Sequence, residues 1–187
     1  MTTSPCSVNT LVRRNRLACL AVAAVLCSVA TRSGAQDLYR GQAVWLDEQS
    51  RPFMLDSLHG HATVLTMAYG ACRRVCSTSL RIMENLQALA DQRGLALDFV
   101  VVGLDPQQDK PDDWADFRAQ RKLTRANWHF LSGDEAATRS LADHLGVNYW
   151  RYGEHVMHDF RIVLLSPDGQ LLRSMDRFDE PLPRLLP

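Results

Sequence analysis

Along the middle of the chain, near-continuous apolar runs alternate with segments in which apolar residues recur at helical spacing. Thr63 to Tyr69 and Leu97 to Leu104 are near-continuous apolar runs with β-branched residues, which is typical of strands buried on both faces. Between them, from Cys76 onward, apolar residues recur at helical spacing until Gly94, a residue suited to a helix C-terminus. Because strands alternate with helices, the pattern predicts parallel strands in an α/β layered domain.

The following stretch continues this alternation of strands and helices. Pro111 suits the first position of a second helix, and Trp128 to Leu131 is a short predicted strand. Ser132 and Glu135 form a capping-box pattern for a third helix, which ends at Gly146. The predicted central order is therefore strand and helix, three times over.

Two predicted β-hairpins flank this central series. The first joins Ala43–Leu46 to Pro52–Leu55, and the second joins Phe160–Leu165 to Leu171–Met175 through the turn Pro167-Asp168-Gly169. Cys72 and Cys76 lie between the first core strand and the first helix. A strand followed by a cysteine pair and a helix, with a β-hairpin at the end of the domain, is the thioredoxin-like arrangement. We therefore predict an α/β, thioredoxin-like fold with an N-terminal β-hairpin and a C-terminal β-hairpin. Several large side chains are expected to lie in its core: Trp114, Phe117, Trp128, Trp150, Tyr152, Met67 and Met157. A partner surface is the alternative for Trp150 and Tyr152.

The start of the chain has the pattern of a secretory signal peptide. A basic segment ending at Arg16 precedes the apolar run Leu17–Ala30, whose 14 residues are too few to cross a bilayer, and small residues follow up to Ala35. We expect residues 1–35 to be a signal peptide and residues 36–187 to be one periplasmic domain. An uncleaved leader would instead anchor the same domain to the membrane.

Charge and cysteine content narrow the possible functions. The whole chain has 21 basic and 21 acidic side chains; without the leader it has 17 basic against 21 acidic, a net charge of −4. A mildly acidic domain without basic runs argues against a nucleic-acid partner. Three of the five cysteines lie in the leader, so cleavage leaves Cys72 and Cys76. In an oxidising compartment, such a thiol pair is a redox or a metal-binding device.

Cys72 and Cys76 lie where the first core strand gives way to the first helix. A helix N-terminus favours the thiolate, and Arg73 and Arg74 act in the same direction. Residues four apart in a helix have Cβ atoms about 5–6 Å apart, beyond the roughly 3.5–4.5 Å that a disulfide prefers. A metal would bridge them with less distortion, and two thiolates select a soft ion such as Cu(I). A structural disulfide and a redox-active pair remain the alternatives.

A copper site with two sulfur ligands needs a third donor, and the mature chain offers six histidines. Four are expected to be solvated or structural, with a weak second metal site as the alternative for the first two: His59, His61, His129 and His144. His155 and His158 come just before the C-terminal hairpin. Three residues apart in an extended chain, they should point to opposite faces and not share an ion. His158, the closer of the two to the strand, is the candidate ligand.

Four segments of the chain resemble the Sco/SenC family of thioredoxin-like, copper-binding proteins. Tyr69–Cys76 is similar to the family's C-x-x-x-C segment, and Val102–Pro106 with Asp109–Pro111 is similar to the family's strand that ends in Asp-Pro before a helix opened by proline. Val156–His158 lies where the family has its single ligand histidine, and Leu165–Gly169 lies where the family has the hairpin that follows. The resemblance extends from about Gln42 to Met175. It implies a protein that helps to assemble the dinuclear CuA centre of cytochrome oxidase.

The resemblance also implies a ligand set and a partner. Cys72, Cys76 and His158 would bind copper as Cu(I) or Cu(II). Asp159, where many members of the family have a serine, could orient the imidazole or be a solvated acid at the start of a strand. The client would be a CuA-containing protein such as oxidase subunit II or nitrous oxide reductase, with a periplasmic thiol reductase as a further partner. The alternative function is a thiol-disulfide reductase, in which Cys72 attacks the client's cysteine pair. A peroxiredoxin-type peroxidase is a third hypothesis, on fold analogy alone.

Overall fold

The computed structural model describes Met1, residues 37–70 and residues 75–187, and for residues 75–77 it describes the backbone alone. The predictions for the leader and for Cys72 lie outside these residues. All the elements below belong to one compact unit, Ala35–Pro187. In the part of the chain described, no helix combines the length and the apolar character needed to cross a membrane.

The described residues form nine strands and three α-helices. The strands are β1 (Trp45–Leu46), β2 (Pro52–Phe53), β3 (Ala62–Ala68), β4 (Leu97–Gly103), β5 (Trp128–Leu131), β6 (Tyr149–Tyr152), β7 (His155–His158), β8 (Ile162–Leu165) and β9 (Leu171–Met175). The α-helices are α1 (Val75–Gln92), α2 (Pro111–Arg121) and α3 (Glu135–Leu145). Short 3-10 helices span Leu38–Arg40, Leu55–Leu58 and Leu182–Arg184.

Five strands form the central sheet in the order β5-β4-β3-β8-β9. β3, β4 and β5 are parallel, whereas β8 runs antiparallel to β3 and β9 antiparallel to β8. Every residue of β4 is buried, and so is every residue of β3 after the first, which explains why both strands are near-continuous apolar runs. The predicted α/β, thioredoxin-like fold, with a hairpin at each end, is confirmed.

The predicted start of the third helix is wrong in detail. Asp134, not Ser132, is its N-cap: the carboxylate of Asp134 accepts a hydrogen bond of 2.7 Å from the N–H of Ala137. Ser132 instead pairs with Leu46 in a β-bridge. The capping-box pattern placed the cap two residues too early because a serine and an aspartate both offer suitable oxygens.

A second, separate ribbon was not predicted. β6 and β7 pair antiparallel around Gly153 and Glu154 and form a two-stranded sheet of their own. The expected core positions in this ribbon are wrong: Trp150 is 52% exposed and Tyr152 is 73% exposed. Met157 is 46% exposed and does not fill a gap in the core either.

The other large side chains occupy the predicted core. Trp114, Trp128 and Met67 are buried, and Phe117 packs against the core from a half-buried position. Trp128 stacks on Phe99 at 5.0 Å between ring centroids. This stacked pair joins β4 to β5. Because the two strands are parallel, their carboxyl ends lie at the same edge of the sheet.

Candidate functional site

The candidate site lies where β3 and β4 end. Because the two strands are parallel, Tyr69-Gly70 after β3 and Leu104-Asp105 after β4 leave the sheet at the same edge. Cys72, two residues beyond Gly70, lies outside the described residues. The described part of α1 begins at Val75, so Cys76 belongs to this helix, but its side chain is not described.

A buried carboxylate holds the two strand ends together. Oδ1 of Asp109 accepts a hydrogen bond of 2.8 Å from the N–H of Gly70, and Oδ2 accepts one of 2.7 Å from the N–H of Asp105. The side chain passes so close to Gly103 that a Cβ there would lie 2.5 Å from the Cβ of Asp109. Glycine at position 103 therefore makes room for this clamp.

Asp109 is also electrostatically unusual. Burial raises the pKa of its carboxyl to about 7, against the opposing effect of the hydrogen bonds from the Asp105 and Gly70 backbone. Among the residues described, the hydrogen bonds to the carboxyl oxygens come from neutral backbone N–H groups, and no cation forms an ion pair with them. A carboxyl with such a pKa can take up or release a proton near neutral pH, and it accepts a hydrogen bond from Gly70, two residues before Cys72.

The β6–β7 ribbon is attached to the same edge of the sheet. Arg151 on β6 forms an ion pair of 3.0 Å with the fully buried Asp105. The hydroxyl of Tyr69 donates a hydrogen bond of 3.3 Å to the carbonyl oxygen of Glu154 in the ribbon's turn and lies 3.1 Å from Oε1 of Gln108. These contacts tie the histidine-bearing ribbon to the residues that follow β3 and β4.

His158 is the last residue of β7 and is half-buried. Its Nδ1 lies 2.8 Å from the carbonyl oxygen of Asp159. Because a carbonyl oxygen only accepts, Nδ1 carries the proton and the lone pair of the neutral imidazole is on Nε2. Such a bond from the second ring nitrogen to a carbonyl is the usual arrangement for a metal-binding histidine. It is the backbone of Asp159 that orients this ring; the carboxylate of Asp159 instead accepts hydrogen bonds from Asn148.

The opposite edge of the sheet holds a different cluster. Nδ1 of His61 lies 2.7 Å from Oδ2 of Asp98, and Nε2 of His129 lies 3.2 Å from Oδ1 of the same residue. Burial acts to raise the pKa of Asp98, but the hydrogen bonds from His129 and His61 outweigh it and hold the pKa below its ordinary value. These three side chains form a structural, hydrogen-bonded cluster.

The weak second metal site considered for His59 and His61 gains no support from the structure. Their rings pair with different carboxylates, His59 with Asp37 and Asp56, and His61 with Asp98. Within the described ranges, no group of three or more His, Cys, Asp and Glu side chains could hold a metal ion.

The residues that tether the ribbon were not predicted from the sequence. The segment Tyr149 to His158 carries two strand-forming runs separated by Gly153-Glu154, and a two-residue linker beginning with glycine is a hairpin pattern. Arg151 and Asp109 give no comparable pattern, because their partners lie 46 and 39 residues away along the chain.

The fold and the site define a class of protein. A strand leads through a C-x-x-x-C segment into a helix, and a histidine lies on a ribbon tied to the same sheet edge, within a thioredoxin-like domain. The SCO1/SenC family model matches residues 33–184, which is most of the chain. The chain belongs to the SCO1/SenC family.

Individual relatives agree with this assignment. A protein of Stutzerimonas stutzeri that is named for copper binding is 29% identical over 152 residues, which cover 76% of this chain and 72% of that protein. ScoI of Bradyrhizobium japonicum, solved with copper bound, is 22% identical with a TM-score of 0.63, over 78% of this chain and 98% of that one. BsSco, a cytochrome c oxidase assembly protein in which a disulfide switch was identified, is 21% identical with a TM-score of 0.67, over 76% of this chain and 86% of that one. The two solved structures establish the shared fold.

Proposed function

We propose that this protein is a periplasmic copper metallochaperone, which binds Cu(I) through Cys72, Cys76 and His158 and delivers it to a CuA-type centre. Copper is its cargo and leaves the site in each cycle. Two thiolates and one imidazole are a donor set that suits a soft, monovalent copper ion. Three donors leave a coordination position through which an acceptor's ligand can enter before one of the chaperone's ligands departs.

The main observation that supports the proposal is the tautomer of the His158 imidazole. Its Nδ1–H is committed to the Asp159 carbonyl, so the tautomer presents the Nε2 lone pair for a metal. Its ribbon is held by Arg151 and Tyr69 to the strand ends that lead towards the cysteine segment. The donor chemistry of the three residues fits copper, and the copper named in the relatives agrees with it.

The compartment and the client form part of the proposal. The leader pattern supports export to the periplasm, with residues 1–35 as the signal peptide and residues 36–187 as the secreted domain. The client would be a CuA-containing protein such as oxidase subunit II or nitrous oxide reductase. The oxidase-assembly role stated for BsSco supports the first of these.

An anaerobic Cu(I) titration of the reduced protein against a competing chelator tests the proposal. We expect one tight equivalent, weakened about tenfold or more by His158→Ala, a change of about 1.4 kcal/mol. His144→Ala, on the exposed face of α3, is the matched control and should leave the affinity unchanged. Unchanged affinity in His158→Ala would remove that residue from the site, and the absence of competitive binding would refute the chaperone.

The alternative function, a thiol-disulfide reductase, is favoured by one observation. The carboxyl of Asp109, with its pKa raised to about 7 by burial, holds the backbone two residues before Cys72. In this function the Cys72 thiolate attacks a client disulfide and forms a mixed disulfide, and the Cys76 thiolate then displaces the client thiolate. The client pair is reduced, the Cys72–Cys76 pair is oxidised, and a periplasmic thiol reductase restores it.

Reduction of an oxidised CuA-type cysteine pair, followed by mass spectrometry of alkylated thiols, tests this alternative. A reductase would transfer two electrons to the client for each protein molecule, and Cys72→Ser would abolish the transfer. Failure of the reduced protein to change the client's thiol count would contradict it.

A further inference from the structure

The β6–β7 ribbon has two chemically different faces. Side chains alternate along each strand, and directly opposed residues share a face. The register pairs Tyr149 with His158, Trp150 with Met157, Arg151 with Val156 and Tyr152 with His155. One face, turned towards the domain, therefore carries Tyr149, Arg151, Val156 and His158. The other, which we call the outer face, carries Trp150, Tyr152, His155 and Met157.

The outer face is unusually exposed for its composition. Trp150, Tyr152 and Met157 are 52%, 73% and 46% exposed, and His155 is exposed as well. The buried methionines of the fold, Met67, Met83 and Met175, show where a thioether normally lies in this protein. A cluster of large side chains left in water is a mark of a binding surface.

His155 differs from the other five histidines. Each of those rings contacts a neighbour: His59 with Asp37 and Asp56, His61 and His129 with Asp98, His144 with Ser140, and His158 with the Asp159 carbonyl. Among the residues described, the imidazole of His155 has no hydrogen-bond or ion-pair partner. Its nitrogens therefore need to give up no intramolecular bond when they bind a ligand.

The donors on this face suit one class of ligand. His155 and Met157 are two apart on one strand, so their Cα atoms are about 6.6–6.8 Å apart and their side chains are parallel. A thioether and an imidazole together select Cu(I), because thioethers favour this soft ion and a protein zinc site takes three or four ligands from Cys, His, Asp and Glu. Trp150, directly opposite Met157, can cover a cation with its ring.

We propose that the outer face of the ribbon is a second metal site, which binds Cu(I) through the Sδ of Met157 and the imidazole of His155, with Trp150 over the ion. Two protein donors make it a weaker site than one with three. It lies on the opposite side of the ribbon from His158, so a single ion cannot occupy both. This inference needs no thiolate and does not depend on the proposed function of Cys72 and Cys76.

The test removes the thiols and His158 from the full chain. With all five cysteines replaced by serine and His158→Ala added, anaerobic Cu(I) titration against a weak competing chelator should still show one equivalent. Met157→Leu or His155→Ala in this background should weaken it about tenfold or more, a change of about 1.4 kcal/mol. Met54→Leu, which changes a methionine that is 45% exposed elsewhere, should leave it unchanged.

A second measurement works in the wild-type chain. Ag(I), a redox-inert substitute for Cu(I), should shift the methyl resonance of Met157 and quench Trp150 fluorescence, and both changes should be absent in His155→Ala. No binding by the cysteine-free chain, or binding unaffected by both ribbon substitutions, would overturn the second site. Loss of the tight equivalent in Cys72→Ser would instead concern only the proposed function.

Discussion

The two ends of β3 and β4 each carry a buried carboxylate, and the two behave in opposite ways. At the amino end, Asp98 lies between His61 and His129, which hold its pKa below the ordinary value after offsetting burial. At the carboxyl end, Asp109 accepts its hydrogen bonds within the described ranges from neutral backbone N–H groups, and burial raises its pKa to about 7. The same residue type is thus ionised and structural at one edge and poised to titrate at the other.

The difference shows why only one end of the parallel strands β3 and β4 carries the candidate site. Both edges of a parallel sheet offer exposed backbone groups, but residues that follow the carboxyl ends of strands converge there. At that edge Asp109 and Arg151 position the segments next to the candidate copper ligands. At the other edge, the rings of His61 and His129 are hydrogen-bonded to Asp98.

The largest contrast should come from removing each carboxylate. Asp109→Leu leaves the N–H groups of Gly70 and Asp105 buried without an acceptor, which costs about 1–3 kcal/mol for each donor. Asp98→Leu leaves two histidine rings that can turn to water, so its cost should be about 0.5–1.5 kcal/mol. Urea unfolding of the two variants measures the difference, and equal losses would contradict the distinction between the two edges.

The pH dependence of stability should have opposite signs at the two edges. An unfolded aspartate has its ordinary pKa near 3.8, so between there and about 7 the folded state holds more protons on Asp109, and stability falls as pH rises through this window. The change is on the order of 2–4 kcal/mol. Asp98, with a lowered folded-state pKa, contributes stability above its unfolded pKa that is lost as pH falls through the folded value.

Unfolding curves measured between about pH 3 and about pH 8 check this prediction. These limits lie about one pH unit below the ordinary aspartate pKa and about one unit above the raised pKa of Asp109. Asp109→Asn should flatten the decline towards neutral pH, and Asp98→Asn should flatten the decline in acid. If Asp109→Asn left the decline towards neutral pH intact, another group would have to cause it.

The tether between the ribbon and the sheet should have an intermediate effect. Arg151→Ala removes the cation beside the buried Asp105 carboxylate and should cost about 1–2 kcal/mol, because the guanidinium is itself half exposed. It should also weaken Cu(I) binding, since His158 lies on the released ribbon. Arg177→Ala breaks an exposed pair with Asp179 and is the control, for which we expect no measurable change in stability.

The smallest effect is expected for Tyr69→Phe. This substitution removes the hydroxyl that reaches the carbonyl of Glu154 and keeps the ring, at a cost of about 0.5–1.5 kcal/mol. Hydrogen exchange of the β6–β7 amides should speed up while the exchange of the central sheet stays as it was. Uniformly faster exchange would show that Tyr69 stabilises the whole domain and does not anchor the ribbon.

The parts of this molecule that could be predicted are those encoded locally. The apolar runs of β3 and β4 and the proline that opens α2 are short-range patterns, and the structure confirms them. The family resemblance carried by the C-x-x-x-C segment and Val156–His158 is also confirmed.

What could not be predicted depends on contacts between distant residues. The Asp109 clamp joins positions 39 apart, and the Asp98 cluster joins positions 37 and 31 apart. Nothing in the sequence near either aspartate reveals which one is offset by histidines. The β6–β7 ribbon is different: Gly153 marked its turn, and the aromatic residues were assigned to a core that they do not enter.

The most direct test of the central claim is X-ray absorption spectroscopy of the reduced protein loaded with one equivalent of Cu(I). The sample should carry His155→Ala and Met157→Leu, and serines in place of the three leader cysteines, so that only the candidate site contributes. We predict two sulfur neighbours and one nitrogen neighbour, with the nitrogen lost when His158→Ala is added. A copper ion without sulfur neighbours, or a coordination shell that His158→Ala leaves unchanged, would contradict the assignment of Cys72, Cys76 and His158.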